Sequence, residues 1–85
     1  MNDVRTIILK LIKEIMFGRE PNETKSFSDM GLDSLDLVNA VMHIETIYGI
    51  NIDEKESNLS KDMIISDFIK LVEQLVEAKE KPQEE

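Results

Sequence analysis

Three stretches of this chain repeat their apolar residues every three or four positions, and no stretch alternates long enough to make a strand. The first holds Val4, Ile7, Ile8, Leu11, Ile12 and Ile15. The second holds Leu37, Ala40, Val41, Ile44, Ile47 and Tyr48, and the third Ile65, Phe68, Ile69, Val72, Leu75 and Val76. Such spacing collects the side chains on one face of a helix. A face of that kind must be buried against another element, so the fold class expected is a small all-α bundle.

The stop signals give the bounds. The first helix reads from about Asp3 to Phe17, with Asn2 or Asp3 as its cap and Gly18 as its end. The second reads from Ser34 to about Tyr48 and stops at Gly49; the last runs from about Met63 to Ala78. Asn51 to Glu54 reads as a cap into a short, weak helical turn around Ser57 to Ser60. Arg19 to Ser26 is a polar loop, anchored on the bundle by Phe27 and Met30. Residues 1–78 are expected to form the one domain, and the charged stretch 79–85, with its proline, a disordered tail. A chain of 85 residues buries only about 60–65% of its unfolded surface, which limits the core.

Composition removes several classes of function. There is no cysteine, hence no disulfide, thiolate nucleophile or cysteine metal site. His43 is the single histidine, so neither a histidine metal site nor a catalytic triad can be assembled. Eighteen acids against ten bases give a net charge of −8. This opposes binding to nucleic acid and to anionic membranes, and it favours steering towards basic protein surfaces. The apolar run Val4 to Phe17 is interrupted by Arg5, Lys10, Lys13 and Glu14, too short and too charged to span a bilayer. A cytoplasmic monomer is the expectation.

The most informative segment is Phe27-Ser28-Asp29-Met30-Gly31-Leu32-Asp33-Ser34-Leu35-Asp36-Leu37-Val38. A turn glycine precedes an acid and a serine, and the serine opens an apolar helical run. A serine in that position is commonly an N-cap. It is also a place that suits a phosphate, because first-turn N–H groups point outward and the helix dipole favours negative charge.

This segment resembles the modification site of acyl carrier proteins, in which the serine of an Asp-Ser-Leu motif carries 4′-phosphopantetheine. The resemblance continues through Val41-Met42-His43-Ile44-Glu45, Tyr48-Gly49-Ile50-Asn51-Ile52-Asp53 and Ile65-Ser66-Asp67-Phe68-Ile69, and covers most of residues 4–76. It implies a four-helix arrangement, three main helices and a short third one. It implies a carrier, with no catalytic residue and no metal ligand of its own. A phosphopantetheinyl transferase, using magnesium and coenzyme A, would attach the arm to Ser34 and release adenosine 3′,5′-bisphosphate, with Asp33 helping the transferase engage. The arm's thiol would hold acyl groups as thioesters for enzymes of fatty-acid, polyketide or related biosynthesis. The alternative cargo is an amino acid or peptide, as in aminoacyl, peptidyl and D-alanyl carriers. Val41, Ile44, Ile52 and Ile65 would line a cleft for an alkyl chain.

The second helix carries more apolar surface than one buried stripe needs. Leu35, Val38 and Met42 fall on a sector separate from the core face, rimmed by Asp33, Asp36 and Glu45. Such a strip either packs under the long loop, the open question for Val38, or is displayed to partners. The resemblance favours display of Leu35 and Met42 to acyl-loading and acyl-processing enzymes with basic patches. His43 falls on the polar sector and reads as a solvated surface residue. Two departures from the family stand out: Asn39 and Thr46 are neutral where fatty-acid carriers have glutamates, and Phe27 to Gly31 is one residue shorter.

Overall fold

Three helices, α1 (Val4–Ile15), α2 (Ser34–Tyr48) and α3 (Ile65–Glu80), follow one another along the chain. They are seen in a computed structural model that describes residues 4–53 and 58–80. α1 lies against both α2 and α3. Among the described residues there is no strand, only an isolated antiparallel bridge between Ser26 and Ile64. The all-α bundle expected from the spacing is the fold observed.

The core gathers residues from all three apolar stripes. Ile8 and Ile12 of α1, Ile44 of α2, and Ile65, Phe68 and Val72 of α3 are fully buried, together with Phe27 from the long loop. Burying a side chain of this size is worth about 1.5–3 kcal/mol, so these few residues supply much of what a small bundle has. Tyr48 is half-buried and packs against the same cluster.

α1 ends before Gly18. Its last residue is Ile15, and the reversal is made by Phe17 with φ of 60°. The N–H of Gly18 bonds the carbonyl of Lys13 (2.8 Å) and that of Phe17 the carbonyl of Glu14 (3.1 Å). This is the paired closure that takes up two orphan carbonyls at a helix end, with a phenylalanine where glycine is usual.

The long loop is fastened at both ends of its second half. Ser26 and Asp29 exchange bonds between side chain and backbone, and Asp29 is the middle residue of a single 3-10 turn, Ser28–Met30. Gly31 ends that turn in the left-handed region, with φ of 81°. The loop then supplies what α3 lacks at its start. The N–H groups of Ile65 and Ser66 donate to the carbonyls of Lys25 and Glu23, both at 2.9 Å. Ser28 adds a bond from its N–H to the Lys61 carbonyl and one from its hydroxyl to the Asp62 carboxylate.

Besides the end of α1, at Ile15 rather than Phe17, three boundaries differ from the sequence reading. α3 begins at Ile65 rather than Met63, because Ile64 is engaged in the bridge to Ser26. It continues through Lys79 and Glu80, and 81–85 lie outside the described residues. The short helix expected around Ser57 to Ser60 is not seen at 58–60, which form a turn with Asn58 at φ of 55°. Its first residue, Ser57, lies outside the described residues, as do Asn2, Asp3 and Glu54.

Candidate functional site

Two aspartates cap α2. Asp33 is the N-cap, in extended conformation, and its Oδ1 accepts the N–H of Asp36 at 2.9 Å. Asp36 reaches back, and its Oδ2 accepts the N–H of Asp33 at 3.2 Å. This is a capping box in which an aspartate stands where a glutamate or glutamine is usual. The hydrogen bond from the Asp36 N–H, ahead of the opposing effect of desolvation, holds the Asp33 carboxyl below the ordinary aspartate value.

The box leaves the neighbouring hydroxyl out of the cap. Ser34 is the first residue of α2, not its cap. It is exposed, and among the described residues its hydroxyl takes part in no hydrogen bond. Of the two readings of this serine, the N-cap is not the one observed: Asp33 caps the helix, and the Ser34 oxygen is left free. Gly31, three residues earlier, is needed for its backbone angle rather than for space, since a Cβ there would meet no atom within 4 Å.

Leu35 and Met42 are 67% and 56% exposed on α2, whereas Leu37 and Ile44 are buried. Val38 is half-buried, between the two sectors. Asp36 is half-buried. Glu45 makes a structural bond instead of standing free at the rim. Its Oε2 accepts the N–H of Ile52 at 2.7 Å and pins the segment that follows the helix.

Ile47 corrects the core assignment, being 52% exposed. It lies about 60° around the helix from Ile44, towards exposed His43. The buried arc swings the other way, through Val41 to half-buried Glu45 and Val38. Met42 and Ile47 share a shallow depression of about 240 Å³ with Asn39, His43 and Thr46. The Thr46 hydroxyl donates to the Met42 carbonyl, and His43 Nδ1 lies 2.9 Å from the Asn39 carbonyl. With these polar groups folded back on their own helix, Met42 and Ile47 are what the face presents. The angular offset of Ile47 signals its exposure, but its place in an apolar run masks that signal.

Val41, Ile44, Ile52 and Ile65 are all buried in the one core cluster. Among the described residues no group of three potential ligands is arranged to hold a metal ion, and no helix is long and apolar enough to cross a membrane.

A free hydroxyl on the first turn of a helix is chemically suited to a covalent phosphodiester. A family model described as "Phosphopantetheine attachment site" matches residues 3–56. An acyl carrier protein of Thermotoga maritima is 37% identical over 51 residues, which make up 60% of this chain and 60% of that protein.

Proposed function

The chain belongs to the phosphopantetheine-attachment family, that of the acyl carrier proteins, whose members are carriers and not enzymes, and from that premise we propose that Ser34 bears 4′-phosphopantetheine and that the protein carries acyl intermediates as thioesters. The arm supplies the thiol that a chain without cysteine lacks. The protein's own part is placement. Asp33 and Asp36 fix the first turn of α2, Gly31 turns the backbone into it, and the Ser34 oxygen faces outward. The observation that carries this reading is the exposed Ser34 hydroxyl, freed from capping by Asp33.

The proposed partners are a phosphopantetheinyl transferase, engaged in part through Asp33, and acyl-loading and acyl-processing enzymes. They dock on Leu35 and Met42, with Val38 on the flank and acidic groups at the rim. Asp33 and Asp36 are the acids nearest the attachment oxygen in sequence, while Glu45 is held by Ile52. Beyond Leu35 the exposed face is neutral, through Asn39, Met42, Thr46 and Ile47. Contact there is apolar rather than ionic, which supports a dedicated acyl pathway over bulk fatty-acid synthesis. The proposed compartment is the cytoplasm.

The test is mass spectrometry after incubation with coenzyme A, magnesium and a broad-specificity transferase. One phosphopantetheine is added to the protein and none to Ser34→Ala, whose helical circular dichroism stays intact. Labelling that survives in Ser34→Ala, or moves to Ser28, refutes the assignment.

A further inference from the structure

We propose that the arm on Ser34, when not held by an enzyme, lies back in a groove between the end of α1 and the modification turn; this rests on the attachment proposed above. The groove measures about 510 Å³, within the range of small-molecule sites. One wall is Met16 and Arg19, just past α1; the other is Met30 and Gly31, at the end of the 3-10 turn. Lys25 also lines it.

Three observations select the arm as occupant. The first is position. Gly31 is three residues from Ser34, so their Cα atoms are at most about 11 Å apart, and an arm rooted on Ser34 starts beside the groove. The second is charge. Arg19 and Lys25 form no ion pair among the described residues. Arg19 only rests its Nε on the Met16 carbonyl at 3.4 Å, leaving the outer guanidinium nitrogens available. In a chain of net charge −8, two uncommitted cations on one groove mark it for an anion, and the arm's phosphodiester is an anion. Of the two acids on the groove, Glu20 is paired with Lys13 at 2.6 Å, and the Asp29 carboxylate keeps its charge while accepting the Ser26 N–H.

The third observation is the mixed character of the walls. Met16 is buried at the base and Met30 half-buried at the side. Met30 sulfur lies 3.1 Å from the Asn22 N–H, which fixes the side chain in place. Two thioethers offer an adaptable apolar surface to the arm's dimethyl group, while the cations reach its phosphate and amide oxygens. The buried residues Val41, Ile44 and Ile65 offer no such polar partners.

The experiment compares amide NMR spectra of the unmodified and modified protein, after mass spectrometry has shown the arm in place. Docking shifts the amides of Lys25, Met30 and Gly31 and gives contacts between the arm's methyl protons and the Met30 methyl. The double variant Arg19→Glu, Lys25→Glu, with its unmodified spectrum otherwise preserved, abolishes those shifts. It also speeds alkylation of the arm's thiol by iodoacetamide about two- to threefold, as the docked fraction is released. Shifts confined to residues 33–36, or moved to Val41, Ile44 and Ile65, overturn the proposal. So does an alkylation rate that the double variant leaves unchanged. Absence of the arm from the mass spectrum overturns the attachment at Ser34, and the docking with it.

Discussion

Phe27 meets Phe68 edge to face, with ring centroids 5.3 Å apart and planes at 84°. One ring comes from the long loop and the other from α3, so this contact joins the segment that leads to Ser34 to the last helix. Edge-to-face pairs add about 0.5–1.5 kcal/mol to what burial alone gives.

Phe68→Ala should therefore cost about 3–5 kcal/mol, a large share of the stability of so small a domain. Phe27→Ala should cost a similar amount. Chemical denaturation measures both, and an unchanged midpoint in either variant contradicts the packing described.

Asp33→Ala should lower the melting temperature at neutral pH, whereas Ser34→Ala should leave it unchanged, because the cap is the aspartate. The pH dependence has a definite sign. The folded Asp33 carboxyl sits below its ordinary value of 3.8. Its contribution is thus present above that value and lost as pH falls through the folded one. Wild type and Asp33→Asn should differ most near neutrality and converge in acid. Parallel melting curves across the whole pH range would show that the charge on the cap contributes nothing.

Glu45→Ala should destabilise by about 1–3 kcal/mol, because it strands the Ile52 N–H. Glu45→Gln, which keeps an acceptor at the same reach, should recover much of that. Were Glu45 solely a docking residue, both variants would melt like the wild type.

Leu35→Ser and Met42→Ser should leave the melting temperature alone and weaken association with an acyl-processing enzyme. Since Asn39 and Thr46 bring no charge, that association should depend only weakly on salt. Elongation by a fatty-acid ketosynthase, followed across ionic strengths beside an ordinary carrier of the same host, checks this. Equal turnover with equal salt sensitivity would make this a general carrier.

Phe17→Gly should stabilise the protein by up to about 1 kcal/mol. Phe17 is 96% exposed and holds a left-handed backbone angle, so the replacement removes a backbone cost and forfeits almost no burial. A denaturation midpoint that falls instead would mean the ring contributes to the fold.

The bounds of α2 are legible in the sequence to the residue, since an acid and a serine open it and Gly49, left-handed at φ of 65°, closes it. Ser34 is legible as a special hydroxyl, but not whether it caps the helix. Both Ser34 and the acids around it are good capping residues, and only the exchange between Asp33 and Asp36 decides between them. Leu35 and Met42 read as exposed because their angles lie away from the core stripe. Ile47 misleads for the converse reason, that an apolar residue near the stripe counts as part of it until the neighbouring helix is located. The start of α3 and the bond made by Glu45 depend on contacts with Lys25, Glu23 and Ile52, which periodicity cannot reveal.

The carbonyls of Glu23 and Lys25 that receive the first N–H groups of α3 have a bearing on synthesis. During translation Ser34 emerges long before Ile65 and Ser66. Until those residues arrive, the segment ahead of Ser34 has only its own local bonds to hold it, and Phe27 has no Phe68 to lie against. The platform under the serine is thus finished by a helix made after it. An enzyme that reads the shape of that platform, rather than the tripeptide, would pass over a chain that lacks α3 and act on one that has it.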